Sequence, residues 1–231
     1  MDFVGVEKLS LVDYDHHMSA VLFSPGCNFN CPFCHNSPLV VHPYENTPIP
    51  FEEILTFLKK RIGLLDAVVV TGGEPTLMPD LIEKIRAIKD IGYKVKLDSN
   101  GTRPEIIKQL VDECLLDYIA MDVKSSFETY PKITDSFVNI DKIKQSIEYI
   151  SSCGVDHEFR TTLVKEYHTE ADIKRMAKEL VGIKRLRLQF FVDSDTCIKR
   201  GLHEVSVENA QKYQKIFQEV IPDVELRGYF I

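Results

Sequence analysis

Ala67-Val68-Val69-Val70-Thr71-Gly72-Gly73-Glu74-Pro75 is an unbroken apolar run that stops at a glycine turn. Successive β-branched residues without polar alternation read as a strand buried on both faces. Upstream, Phe51, Ile54, Leu55, Leu58 and Ile62 recur at helical spacing, with Glu52 and Glu53 leading and Lys59 and Lys60 trailing on the other face, as the helix dipole favours. Downstream, Leu81, Ile82, Ile85 and Ile88 predict a second helix. Asp80 is its expected cap, Glu83 completes a capping-box-like pair and Gly92 ends it.

The same unit recurs along the chain. Strands are expected at residues 18–23, 94–97, 118–123, 158–164 and 186–191. Helices follow with Pro104 in a first turn, with Ile140, Ile143, Ile147 and Ile150 on one face, with Thr169 capping and Asp172 at the third position, and with Ser206 beginning the last. Residues 4–12 read as a lead-in. Residues 37–50, holding Pro38, Pro43, Pro48 and Pro50, read as an irregular connection, and 125–138 carry no clear pattern. Six strand-then-helix units demand a parallel sheet with right-handed crossovers. The expectation is one domain over residues 1–231: an α/β partial (β/α)6 TIM-like barrel with parallel strands, with an open doubly wound sheet as the second choice. Cys27, Gly72, Gly73, Glu74, Asp98, Ser99, Asn100, Asp122 and Lys124 all fall at C-terminal strand ends. Both folds carry their sites on that edge, but several successive strands converging on one site favours the barrel.

Composition narrows the class. Hydrophobic residues make up 44% and charged residues 27%, as in an ordinary soluble protein. A net charge of −7 argues against non-specific nucleic-acid or anionic-membrane binding. The N-terminus does not read as a secretory signal, and no run of eighteen apolar residues could span a bilayer, so the expected compartment is cytoplasmic. Its reducing conditions suit thiols and metal ligands, and the six cysteines, clustered at one place and scattered elsewhere, do not look like a disulfide framework.

That cluster is Cys27-Asn28-Phe29-Asn30-Cys31-Pro32-Phe33-Cys34-His35-Asn36, within a loop expected over residues 24–36. Four thiolates close around zinc or an iron–sulfur cluster; three leave one metal position open for a small molecule. A structural zinc site of the three cysteines with His35 is the plain alternative, although zinc ligands normally come as separated pairs. Elsewhere the ordinary readings also stand. Gly72-Gly73 makes a tight turn, Asp98-Ser99-Asn100-Gly101 is an unremarkable turn sequence, and Lys124 with Asp122 could be a surface ion pair. Arg160, Thr161, Thr162 and Gln189 are polar groups on strands that ought to be buried.

In combination, Cys27-x3-Cys31-x2-Cys34 after the first strand, Thr71-Gly72-Gly73-Glu74-Pro75 after the second and six βα units resemble the radical S-adenosylmethionine (SAM) superfamily. Ser10-Leu11-Val12-Asp13-Tyr14, the loop from Gly26 to Asn36, and Asp117-Tyr118-Ile119-Ala120-Met121-Asp122-Val123-Lys124 are similar to the glycyl-radical-enzyme activating branch. The nearest pattern is that of anaerobic ribonucleoside-triphosphate reductase activating proteins; pyruvate formate-lyase activating enzymes are similar too. The resemblance implies a [4Fe–4S] cluster on Cys27, Cys31 and Cys34, with SAM on the fourth iron. It implies Phe33 against adenine, where a core-plugging aromatic is the alternative, and Gly72, Gly73 and Glu74 at the methionyl ammonium. Asp98 would face that ammonium, with Ser99 and Asn100 beside it. Lys124 would meet the SAM carboxylate, and Asp98, Ser99 and Asp122 would match ligands of a monovalent cation. Arg160 is a candidate contact to ribose or the target peptide. The implied partners are a glycyl radical enzyme and an external electron donor such as flavodoxin or ferredoxin. No counterpart stands in the sixth strand for the histidine of pyruvate formate-lyase activases, which favours the reductase assignment.

Overall fold

The computed structural model describes residues 1–43 and 45–229; Tyr44, within the proline-rich connection, and Phe230 and Ile231 lie outside them. One sheet runs through the chain: β1 (Gly5–Ser10), β2 (Ser19–Ser24), β3 (Ala67–Gly72), β4 (Lys94–Ser99), β5 (Tyr118–Asp122), β6 (Asp156–Leu163), β7 (Arg185–Phe190) and β8 (Asp223–Arg227). These eight strands lie side by side in chain order. β1 is antiparallel to β2, and from β2 onward every neighbouring pair is parallel. A doubly wound sheet reverses direction at a switch point. Here every crossover steps the same way, so the helices gather on one face and the sheet curls into a partial barrel.

The helices are α1 (Ser37–Val41), α2 (Phe51–Lys59), α3 (Leu81–Ile91), α4 (Pro104–Asp112), α5 (Tyr130–Thr134), α6 (Ile140–Ser152), α7 (Glu170–Glu179) and α8 (Val207–Gln218). Among the described residues none is long and apolar enough to cross a membrane. Local signals place most of them. Thr169 and Asp172 form a reciprocal capping box on α7, Ser206 accepts from the Asn209 backbone on α8, Pro104 sits in the first turn of α4, and Gly92 ends α3 at φ +107°. The expected Asp80 cap is not made. Its carboxylate takes Lys84 Nζ at 2.7 Å and the chain's N-terminal amine at 2.9 Å instead, two charges outcompeting a backbone N–H.

Three expectations need correction. The lead-in contains β1, whose largely exposed side chains leave no apolar pattern because it is the outer, antiparallel strand. The connection over 37–50 holds the short helix α1, with Pro38 tolerated in its first turn. Residues 125–138 hold α5, described below. The structure also adds β8, where only Val224 and Leu226 are buried between exposed neighbours.

The two faces of the sheet differ chemically. Toward the helices, Val68, Val70, Leu97, Ile119, Phe159 and Leu186 join the main apolar core. On the concave face the apolar cluster shrinks to Tyr14, Val21, Ala67 and Val69, with Phe23 and Tyr118 packed on it. Beside that cluster the interior is charged. Lys96 and Glu158 are buried; Lys96 lies 5.3 Å from the Tyr118 ring centre, and Glu158 accepts from Arg227 at 3.1 Å. Alternation along β4, β5 and β6 carries this face upward to Asp98, Asp122 and Arg160 at the mouth.

Candidate active site

The cluster loop leaves β2 at Ser24 and is held by backbone. Gly73 N donates to Ser24 O at 2.9 Å and Glu74 N to Gly26 O at 2.8 Å, which presses the two loops together. A Cβ on Gly73 would lie 1.8 Å from Gly26 O, and one on Gly72, at φ +118°, 2.4 Å from Ser24 N. The glycines are therefore required by this close approach. Gly73→Ala is expected to destabilise the protein by roughly 1–3 kcal/mol, as overpacking does, and to lower iron content after reconstitution; an unchanged unfolding midpoint would contradict the close approach.

Farther along, Asn36 Nδ2 donates to Gly72 O at 2.9 Å, and His35 Nε2 meets Val192 O at 2.7 Å. The unassigned segment after β5 grips the other side. Asn30 N donates to Thr134 O at 2.8 Å, and Phe29 packs edge-on to Tyr130, with 6.1 Å between ring centres. Phe33 is buried, tilted against Tyr167 at 6.0 Å, and also lines the cavity.

Cys27, Cys31 and Cys34 line one cavity, together with Gly72, Gly73, Asp98, Lys124 and Arg160. Burial pushes the Cys27 thiol up to about 12 and the Cys31 thiol to about 11, and raises Cys34 as well. Such thiols ionise when a metal replaces their protons. Among the described residues no three His, Cys, Asp or Glu side chains converge closely enough to hold a single metal ion. The thiols ring a cavity instead, an arrangement that suits one iron per thiolate better than one zinc.

The charged groups form a chain across β4, β5 and β6. Arg160 Nε donates to Asp122 Oδ1 at 2.8 Å and its Nη1 to Asp98 Oδ2 at 3.2 Å, while Lys124 Nζ donates to Asp122 Oδ2 at 2.8 Å. Burial pushes the Asp122 carboxyl up, but Arg160 and then Lys124 outweigh it and hold it at about 2. Burial pushes Lys124 down, yet Asp122 and Cys31 leave it above its ordinary value. The Lys124–Asp122 pair exists, but inside the cavity and not on the surface. Asp98 Oδ1 is buried and has no hydrogen-bond partner; the nearest cation, Lys96 Nζ, stands off at 3.8 Å. Asp98 and Lys124 line the cavity with the three cysteines, an acid and a base suited to the ammonium and carboxylate of an amino acid.

Two sets of expected site groups already have protein partners. Both oxygens of Glu74 are taken, by Thr76 N and Oγ1, by Ser99 Oγ at 2.9 Å and by Asn100 N at 2.6 Å. Glu74 thus staples the end of β3 to the end of β4, and the free acceptor is Asp98. Ser99 Oγ donates to Glu74, and Arg160 lies between Asp98 and Asp122. Thr161 turns outward to Val123 O at 2.8 Å, whereas Thr162 and Gln189 line the cavity.

Sequence reasoning missed the second layer. Tyr130 Oη accepts from Lys124 N at 3.2 Å and donates to Asp122 O at 3.3 Å. His168 is buried; its Nδ1 lies 3.0 Å from Val164 N and 3.2 Å from Val164 O, and its Nε2 meets Lys124 O at 2.9 Å. Lys124 is therefore clamped at both backbone groups. No local pattern marks these residues; a polar side chain at an otherwise apolar position is their single trace. Burial lowers the His168 pKa. The unfolded chain takes up that proton below about pH 6.5 while the folded one resists it, so stability is full above that pH and declines as pH falls. Denaturant titrations from pH 8 to 5 are expected to show this slope in the natural chain and a weaker one in His168→Gln.

The radical SAM superfamily model matches residues 21–180. A Methanocaldococcus jannaschii protein named as a candidate glycyl-radical enzyme activating enzyme is 37% identical over 83% of this chain and 80% of its own. A second from that organism, named likewise, is 30% identical over 78% and 67%. The crystal structure of a domain of pyruvate-formate lyase-activating enzyme from Bacteroides vulgatus aligns with TM-score 0.58 and 20% identity over 71% of this chain and 99% of that one, a likeness of fold. With the thiol-ringed cavity at the mouth of a partial barrel, these matches lead to one conclusion: the chain belongs to the radical SAM superfamily and is an enzyme of that class.

Proposed function

We propose that this enzyme generates a glycyl radical on a partner, an anaerobic ribonucleoside-triphosphate reductase, drawing electrons from an external donor such as flavodoxin or ferredoxin. One observation carries the reading: three cysteines, Asp98 and Lys124 line a single cavity. Family membership implies the [4Fe–4S] cluster and SAM, and the M. jannaschii relatives support the activating branch.

The protein's own contributions follow from its geometry. Cys27, Cys31 and Cys34 would hold the cluster. Asp98 would accept from the SAM ammonium and Lys124 would pair with its carboxylate, while Phe33 would offer an apolar face to adenine. When bound, cluster and SAM supply one-electron cleavage to methionine and a 5′-deoxyadenosyl radical, which takes a hydrogen atom from the partner's glycine. Tyr130 and His168 keep Lys124 in place, and the buried charge chain from Lys96 to Asp122 needs no solvent ions to balance it.

The test is anaerobic reconstitution with iron and sulfide, reduction in the presence of SAM, and electron paramagnetic resonance after mixing with the candidate reductase. A glycyl radical doublet is expected on the reductase. Release of 5′-deoxyadenosine without that doublet would keep the enzyme class and remove the partner.

A further inference from the structure

We infer that the Asn100 side-chain amide donates a hydrogen bond to the Cys27 sulfur and so sets the reduction potential of the cluster; this rests on the [4Fe–4S] reading of the three cysteines.

The orientation of Asn100 is settled by a closed ring of side chains. Thr102 Oγ1 donates to Asn100 Oδ1 at 2.7 Å, Asn100 Nδ2 donates to Asn28 Oδ1 at 2.9 Å, and Asn28 Nδ2 donates to Thr102 Oγ1 at 3.0 Å. Thr102 N also donates to Asn100 Oδ1, at 3.0 Å. Flipping the Asn100 amide would set its NH2 against the Thr102 N–H and its oxygen against that of Asn28, so the assignment has one consistent solution. An amide nitrogen carries two N–H bonds. The ring uses one, and Cys27 Sγ lies 3.8 Å from the same nitrogen, where the second can reach it. Asn100 and Thr102 are both buried, so water does not compete for that proton. The Phe29 backbone N–H reaches the same sulfur at 3.4 Å. Among the described residues, Cys27 is the one cysteine of the three that a side-chain amide contacts.

Reduction adds one electron to the cluster, from an external one-electron donor that is oxidised in turn, and the added charge spreads onto the thiolate sulfurs. A donor aimed at a sulfur stabilises the reduced state more than the oxidised one and raises the potential. Asn100 exchanges no proton and no electron in this step. Its effect is electrostatic, bringing the cluster within reach of its donor, and the ring through Asn28 and Thr102 holds the N–H in place without reorganisation.

The experiment is a potentiometric titration of the reconstituted full chain, followed by electron paramagnetic resonance, with neither SAM nor partner present. Asn100→Leu keeps the side-chain volume and removes the donor. Its midpoint is expected to fall by an equilibrium factor of about ten, which is about 59 mV for a one-electron couple. An unchanged midpoint at equal iron content overturns the inference, since a merely structural role would alter cluster content and not potential. In the natural chain labelled with 15Nδ2-asparagine, pulsed resonance of the reduced cluster is expected to show a nitrogen coupling that Asn100→Leu loses. If that variant holds no cluster, absence of the coupling in the natural chain overturns the inference by itself. A natural chain that binds no four-iron cluster overturns the underlying reading instead, and this inference with it.

Discussion

Replacing any one of Cys27, Cys31 or Cys34 by alanine is expected to abolish SAM cleavage, with 5′-deoxyadenosine release falling at least about a thousandfold, on the order of 4 kcal/mol in barrier. Each cysteine lines the cavity, so each substitution would remove one ligand of the proposed cluster. Cys31 is buried and Cys27 and Cys34 are partly buried; loss of one sulfur atom there costs about 1 kcal/mol of folding stability, a small cavity by the standard of larger truncations. The three variants should therefore keep their circular dichroism and unfolding midpoint while failing to retain four irons. Cleavage within tenfold of the natural chain in any of them would take that cysteine out of the cluster.

Arg160→Met has the second large effect, and it acts on stability. The Arg160 side chain is 13% exposed and bridges Asp98 to Asp122. Its removal leaves two carboxylates facing each other, with Lys96 3.8 Å from one and Lys124 2.8 Å from the other. Breaking a buried ion pair on one side costs about 3–5 kcal/mol. Asp122 titrates low because of Arg160 and Lys124. Its depressed value makes that stabilisation complete above about pH 4, the unfolded carboxyl value, and lost only as pH falls toward about 2. The loss in Arg160→Met should therefore be flat across pH 5 to 8 in urea titrations, unlike the His168 effect. Adding Asp122→Asn should recover a substantial part of it. A stability loss under about 1 kcal/mol would show that the two lysines balance the carboxylates alone.

Much of this molecule is legible in one dimension because its signals are local. Val68, Val69 and Val70 state a buried strand by side-chain shape, Thr169 and Asp172 cap α7 within one turn, and three thiols fall within one loop. Repetition of such units implies a parallel sheet, and the gathering of unusual residues at strand ends implies where the site lies. β1 and β8 escaped because edge strands bury few side chains and so carry no run.

Tertiary structure decided which groups are free. Glu74, Asp98 and Asp122 are alike as carboxylates in the sequence, each at a strand end, and nothing local ranks them. Register between neighbouring strands does: it sets Ser99 and Asn100 against Glu74, and Arg160 between Asp98 and Asp122, and leaves Asp98 Oδ1 alone without a partner among the three. The chain by itself determined six of the strands, six of the helices and the thiol loop, because shape and spacing are properties of neighbours in sequence. Hydrogen-bond satisfaction is a property of neighbours in space, so the open acceptor, the clamp on Lys124 and the amide beside Cys27 appeared only when distant strand ends were brought together.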